Sequence, residues 1–159
     1  MKKIALITTL ATLTLFNSAL SQAQKDTTAV VDESLPPGEE GAKAALEKSP
    51  RHGEYADVKV PGSEVPVRTW VVYPERKDKA PAVLVIHEIF GLPDWIRGVA
   101  DQLAEDGFIA IAPDLISGKG PGGGGTDSVA TRDEVVKLIR GLSPEEVTAR
   151  LDAVRDYAV

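Results

Sequence analysis

Two carboxylates and one histidine stand where the polarity of this chain changes most abruptly. Val83-Leu84-Val85-Ile86 runs straight into His87-Glu88, aliphatic residues resume at Ile89, and Gly91 ends the run. A second apolar run, Phe108-Ile109-Ala110-Ile111-Ala112, closes on Pro113-Asp114. A charge at the end of a buried strand costs free energy unless something there uses it. Glu88 could serve a reacting group, or it could be a strand-end carboxylate with access to water. His87 is expected to be a packed histidine that donates to backbone, and Asp114 to form an Asx-turn after Pro113. No third-ligand spacing supports a metal site built from His87, Glu88 and Asp114, so neither metal nor cofactor is expected.

The elements around these residues read as an α/β fold. Tyr55–Val60 and Val65–Tyr73, separated by the turn signal Pro61-Gly62-Ser63-Glu64, predict an antiparallel hairpin. Ala82–Ile86 has no polar alternation, which predicts a parallel strand covered on both faces. Asp94 is the expected N-cap of a helix whose inward set is Ile96, Val99, Ala100, Leu103 and Ala104. Gly107 is its expected C′ residue. Phe108–Ala112 then completes a strand, helix, strand unit. Ligands of such sheets sit outside the carboxyl ends of the strands, where Glu88 and Asp114 fall.

Two capped helices follow. Thr131-Arg132-Asp133-Glu134 opens one, with Val135, Leu138, Ile139 and Leu142 inward. Ser143-Pro144-Glu145-Glu146 opens the other, with Val147, Leu151, Val154 and Ala158 inward. Before them, Gly118 to Gly125 forms a glycine-rich run. A phosphate loop needs Ser or Thr after its lysine, whereas Lys119 precedes Gly120; a flexible surface loop is the reading. Trp70 and Trp95 are expected to pack, and His52 to be exposed.

Residues 1–23 have the features of a signal peptide. Lys2 and Lys3 precede an apolar stretch, and Ser21 and Ala23 stand at cleavage-site spacing. The stretch is short for a spanning helix, which needs roughly 20 residues. The expectation is an exported chain, periplasmic or secreted, without stable membrane insertion after cleavage. Residues 24–53 read as a solvated polar leader with one short helix near Glu39–Lys48, and 54–159 as the domain. The 159 residues carry a net charge of −6 and no cysteine. That charge argues against nucleic acid as a partner. The missing cysteine excludes a thiolate nucleophile, a Cys-based zinc site and a disulfide framework within these residues.

VIHEIFGL, the helix DWIRGVADQLAEDGF and the strand end IAPDL together resemble the dienelactone hydrolase family of α/β-hydrolases. LIRGLSPEEVTARLDAVRDY is similar to its exported bacterial branch. The resemblance covers roughly Tyr55 to Val159 and corresponds to the N-terminal half of the family's domain. It implies hydrolysis of a carboxylic ester or lactone by nucleophilic acyl transfer. It also implies that Glu88 lies beside the nucleophile and takes part in its activation, and that the Ile89 N–H is one oxyanion donor. The family's Gly-x-Cys-x-Gly elbow, Asp and His have no match here, and Ser143 is better explained as an N-cap. The expectation is therefore a chain truncated before its nucleophile and inactive alone. A non-catalytic exported binding or interaction module is the alternative. With the adjoining strand absent, the Ala82–Ile86 edge is bare and uncharged, so self-association through it is expected.

Overall fold

A computed structural model describes residues 35–159. The signal-peptide reading of residues 1–23 and the first part of the leader lie outside the described residues. Helix α1 spans Glu39–Leu46. Strands β1 (Gly53–Val58) and β2 (Val67–Val72) form the antiparallel hairpin. Then come β3 (Ala82–Leu84), helix α2 (Asp94–Glu105) and β4 (Ile109–Pro113). Helices α3 (Arg132–Arg140) and α4 (Pro144–Tyr157) end the chain. The sheet order is β1-β2-β4-β3. β4 runs antiparallel to β2 and parallel to β3, so β3-α2-β4 is the expected βαβ unit.

Period-two alternation sends the strand residues to two cores. On one face, Val72, Val85, Ala110 and Ala112 meet Leu92 and the α2 residues Ile96, Ala100 and Ala104. On the other, Val58, Val60, Val67, Val71 and Ile111 meet Ala153 and Val154 of α4. The sheet thus has a helix on each face. Gly107, at φ +95°, ends α2 as expected.

Three readings need correction. Pro93, in extended conformation, is the N-cap of α2; Asp94 is the first helical residue and bonds Arg97 three positions on. The strand from Ala82 is covered on both faces only in part: Val85 joins one core and Leu84 packs against the other, whereas Ile86, beyond the end of β3, is 57% exposed. The leader is not simply solvated. Ala42 is fully buried, Arg51 makes a two-pronged bond to Asp101 of α2 (3.1 and 2.6 Å), and Ser49 donates to the same carboxylate at 2.6 Å. The glycine-rich run lies at the surface as expected, with a 3-10 turn at Pro121–Gly123, and leads into Thr126, which is anchored to Asp114.

Edge polarity follows from the register. The Ile109 N–H donates to the Pro81 carbonyl at 2.9 Å and the Val85 N–H to the Ile111 carbonyl at 2.8 Å. In a parallel ladder, alternate residues use the same side. Pro81, Val83 and Val85 therefore face β4, and the backbone groups of Ala82, Leu84 and Ile86 face outward.

Candidate active site

The turn after β3 carries Glu88 to the wall of a cavity of about 480 Å³. Phe90, Pro93 and Trp95 continue that wall from the same turn and the start of α2. Thr126 and Val129 close it from the loop before α3, Arg132 from the first turn of α3, and Glu39 of α1 completes the rim. Glu88 is exposed, and among the described residues its carboxylate has no ion pair and no hydrogen-bond partner. Ile89 is 40% exposed, and no acceptor for its N–H is found among the described residues. Trp95 therefore serves as cavity wall, at 36% exposure, and not as a core group. Trp70 does pack, edge-on to Tyr55 at 4.9 Å. Burial pushes the Tyr55 hydroxyl above its ordinary pKa, against the opposing charge of Arg97.

Gly91 makes the turn possible. Its φ is +76°, a left-handed backbone that glycine adopts without a Cβ penalty. A Cβ there would also lie 2.2 Å from Thr126 Oγ1. That hydroxyl accepts from the Leu92 N–H at 3.0 Å and donates to Asp114 Oδ1 at 2.9 Å.

His87 and Asp114 lie beside Glu88 in sequence or space but not at the cavity. His87 is buried, bonded through Nδ1 to the Glu88 carbonyl and through Nε2 to the Leu115 N–H. Asp114 accepts from the Ile116 N–H at 3.2 Å, the expected Asx-turn, and its remaining capacity is taken by Thr126. Among the described residues, no three His, Asp or Glu side chains group as metal ligands. Ser143 is the N-cap of α4, accepting from the Glu146 N–H at 3.1 Å. His52 is exposed and stacks on Tyr73.

Three residues of the region escape a reading of the sequence. Thr126 is a polar residue directly after four glycines, which is a faint hint of an anchor. Arg132 follows the Thr131 cap; its guanidinium lies 4.9 Å over the Phe90 ring and pairs with Glu39. Arg150 has no local signal. It is 6% exposed and holds the carbonyls of Leu115 (3.1 Å) and Ser117 (2.9 Å) while pairing with Glu146.

A parallel βαβ unit joined to an antiparallel hairpin, with an open carboxylate at the strand end, defines part of an α/β-hydrolase fold. Residues 67–159 match the Dienelactone hydrolase family, and the chain belongs to that family. A candidate carboxymethylenebutenolidase of Synechocystis is 30% identical over 101 residues, which cover 64% of this chain and 41% of that one. A hydrolase fragment from Escherichia coli K12 is 41% identical over 68 residues, covering 42% of this chain and 58% of that one. The crystal structure of a candidate dienelactone hydrolase from Klebsiella pneumoniae superposes with a TM-score of 0.57 at 26% identity. That match covers 68% of this chain and 43% of the other. The chain thus spans well under two thirds of the length of these relatives.

Proposed function

We propose that this chain supplies one wall of a site that hydrolyses a carboxylic ester or lactone by nucleophilic acyl transfer. The observation that carries the reading is the pairing, on one turn, of a Glu88 carboxylate facing the cavity with an Ile89 N–H, neither of which has a partner among the described residues. In acyl transfer, a nucleophile adds to the ester carbonyl, the alcohol departs, and water releases the acid from the acyl-enzyme. Negative charge develops on the carbonyl oxygen, and one preorganised N–H aimed there lowers the barrier by about 3 kcal/mol. Ile89 is assigned that donor role and Glu88 the activation of the nucleophile. No cysteine occurs in the 159 residues, so the nucleophile is assigned to polypeptide outside them.

The test is twofold. Hydrolysis of simple aryl esters by the purified 159-residue chain is expected at background level. Turnover above background that disappears in Glu88→Ala would sink the claim that the nucleophile lies elsewhere. Reading the gene beyond Val159 is expected to give a Gly-x-Cys-x-Gly elbow, then Asp, then His. A stop codon with no such elbow in any frame beyond it, together with ester-induced thermal stabilisation without turnover, would favour a binding module instead.

Two further assignments belong to this proposal. Residues 1–23 direct export and are removed, so N-terminal sequencing of the exported protein should begin at Gln24. In the 159-residue chain taken alone, the outward backbone groups of Ala82, Leu84 and Ile86, with no charge beside them, pair with a second copy of the same edge.

A further inference from the structure

The most firmly held group of the HEIFGL turn is the Glu88 carbonyl, not its carboxylate. It lies 2.8 Å from His87 Nδ1 and accepts from the Gly91 N–H at 3.3 Å. On the far side of the imidazole, the Leu115 N–H donates to Nε2 at 3.0 Å. A backbone N–H can only donate, so Nε2 must present its lone pair and the single ring proton sits on Nδ1. The contact with Glu88 is therefore an Nδ1–H donating to a carbonyl. Leu115 in turn is fixed, since its own carbonyl accepts from buried Arg150 at 3.1 Å.

Peptide geometry carries this outward. Among the described residues no peptide bond is cis, so the Glu88 carbonyl and the Ile89 N–H lie in one plane and point in opposite directions. Holding the carbonyl against the buried imidazole turns the N–H away from it. Turned over, the same peptide would present a carbonyl oxygen where the N–H now points, and it would repel a developing oxyanion.

The geometry points to His87 as the positioning residue of this peptide: its Nδ1–H tautomer, imposed by Leu115, keeps the Ile89 N–H presented as a donor. The inference rests on the reading of Ile89 as an oxyanion donor, but the lock itself can be measured without substrate.

The experiment is NMR on the ¹⁵N-labelled 159-residue protein at neutral pH. Long-range ¹H–¹⁵N correlation should show His87 as the neutral Nδ1–H tautomer. His87→Phe keeps an aromatic ring and removes both bonds. It should speed amide exchange at Gly91 and Leu115 about tenfold, the loss expected for one hydrogen bond, while the central β4 amides stay protected. His87→Asn places a donor near the Nδ1 position and should restore Gly91 but not Leu115, a split that general loosening would not produce. If His87→Phe does not fold, the wild-type tautomer and His87→Asn decide. An Nε2–H tautomer, or Gly91 protection lost in His87→Asn, would overturn the inference. Failure of Ile89 as an oxyanion donor would leave all these readings unchanged, so the two claims fail separately.

Discussion

Thr126 is joined to Asp114 twice: its N–H donates to Oδ2 at 2.6 Å and its hydroxyl to Oδ1 at 2.9 Å. The Leu92 N–H donates to the same hydroxyl, so the segments after β3 and β4 share one hydrogen-bond chain. Asp114 is 4% exposed, so water cannot readily replace it as acceptor. Asp114→Ala should lower unfolding free energy by about 2–4 kcal/mol, because it strands the Thr126 and Ile116 donors. Urea denaturation at neutral pH measures this. Asp114→Asn keeps an acceptor and should lose less.

Gly91→Ala meets two obstacles at once, the positive φ and the Thr126 hydroxyl. The expected cost is about 1–3 kcal/mol. Since the strain falls on the turn itself, amide shifts of Leu92 and Thr126 should move while those of β1 do not. A variant as stable as the parent, with those shifts unmoved, would contradict the close approach.

Glu146 links stability to pH. Burial pushes its pKa up, but the hydrogen bond from Lys119 and the charge of Arg150 outweigh this and hold it below the ordinary value. The folded chain then binds this proton less readily than the unfolded one. The resulting stabilisation is present above the ordinary glutamate pKa of about 4.3 and is lost as pH falls through the lower folded value. Glu146→Gln should therefore lower Tm by a few degrees at pH 7, and the gap should narrow as pH falls below the ordinary glutamate value. Thermal melts of both proteins across that range check it; a gap independent of pH would rule this account out.

The outward edge of β3 gives a prediction about assembly. Ile86→Lys puts a charge beside the free backbone groups, the device by which natural edges avoid pairing. Sedimentation should show the parent self-associating at concentrations where Ile86→Lys is monomeric. A parent that is monomeric throughout would remove the proposed contact.

The sheet and its helices were legible in the sequence because their signals are local. Alternation marked the hairpin, an i, i+3, i+4 set marked α2, and Thr131 and Ser143 marked two helix starts, each of which receives the bond expected of a cap. Asp94 was misplaced because a good capping residue and a good first-turn residue look alike; extended Pro93 had already taken the cap. Arg150 was invisible for a different reason. Four residues after Glu146, it looks like half of a solvated pair, and only the returning loop at Leu115 and Ser117 makes it a buried donor. Glu88 could be placed at a strand end, whereas its cavity could not, since Arg132, Val129 and Glu39 come from distant segments.

Ala100, Ala104, Ala110 and Ala112, each 1% exposed or less, lie between α2 and the sheet. Their methyl groups act as a gauge that fixes how closely the helix approaches β4. A longer side chain at Ala110 would act as a wedge, at a cost of about 1–3 kcal/mol in strained packing. The helix begins at Asp94, a few residues beyond Glu88, so a tilt at the interface would be passed to the turn. The aim of the Ile89 N–H thus depends partly on atoms that are missing, the carbons beyond Cβ in a layer well away from the cavity.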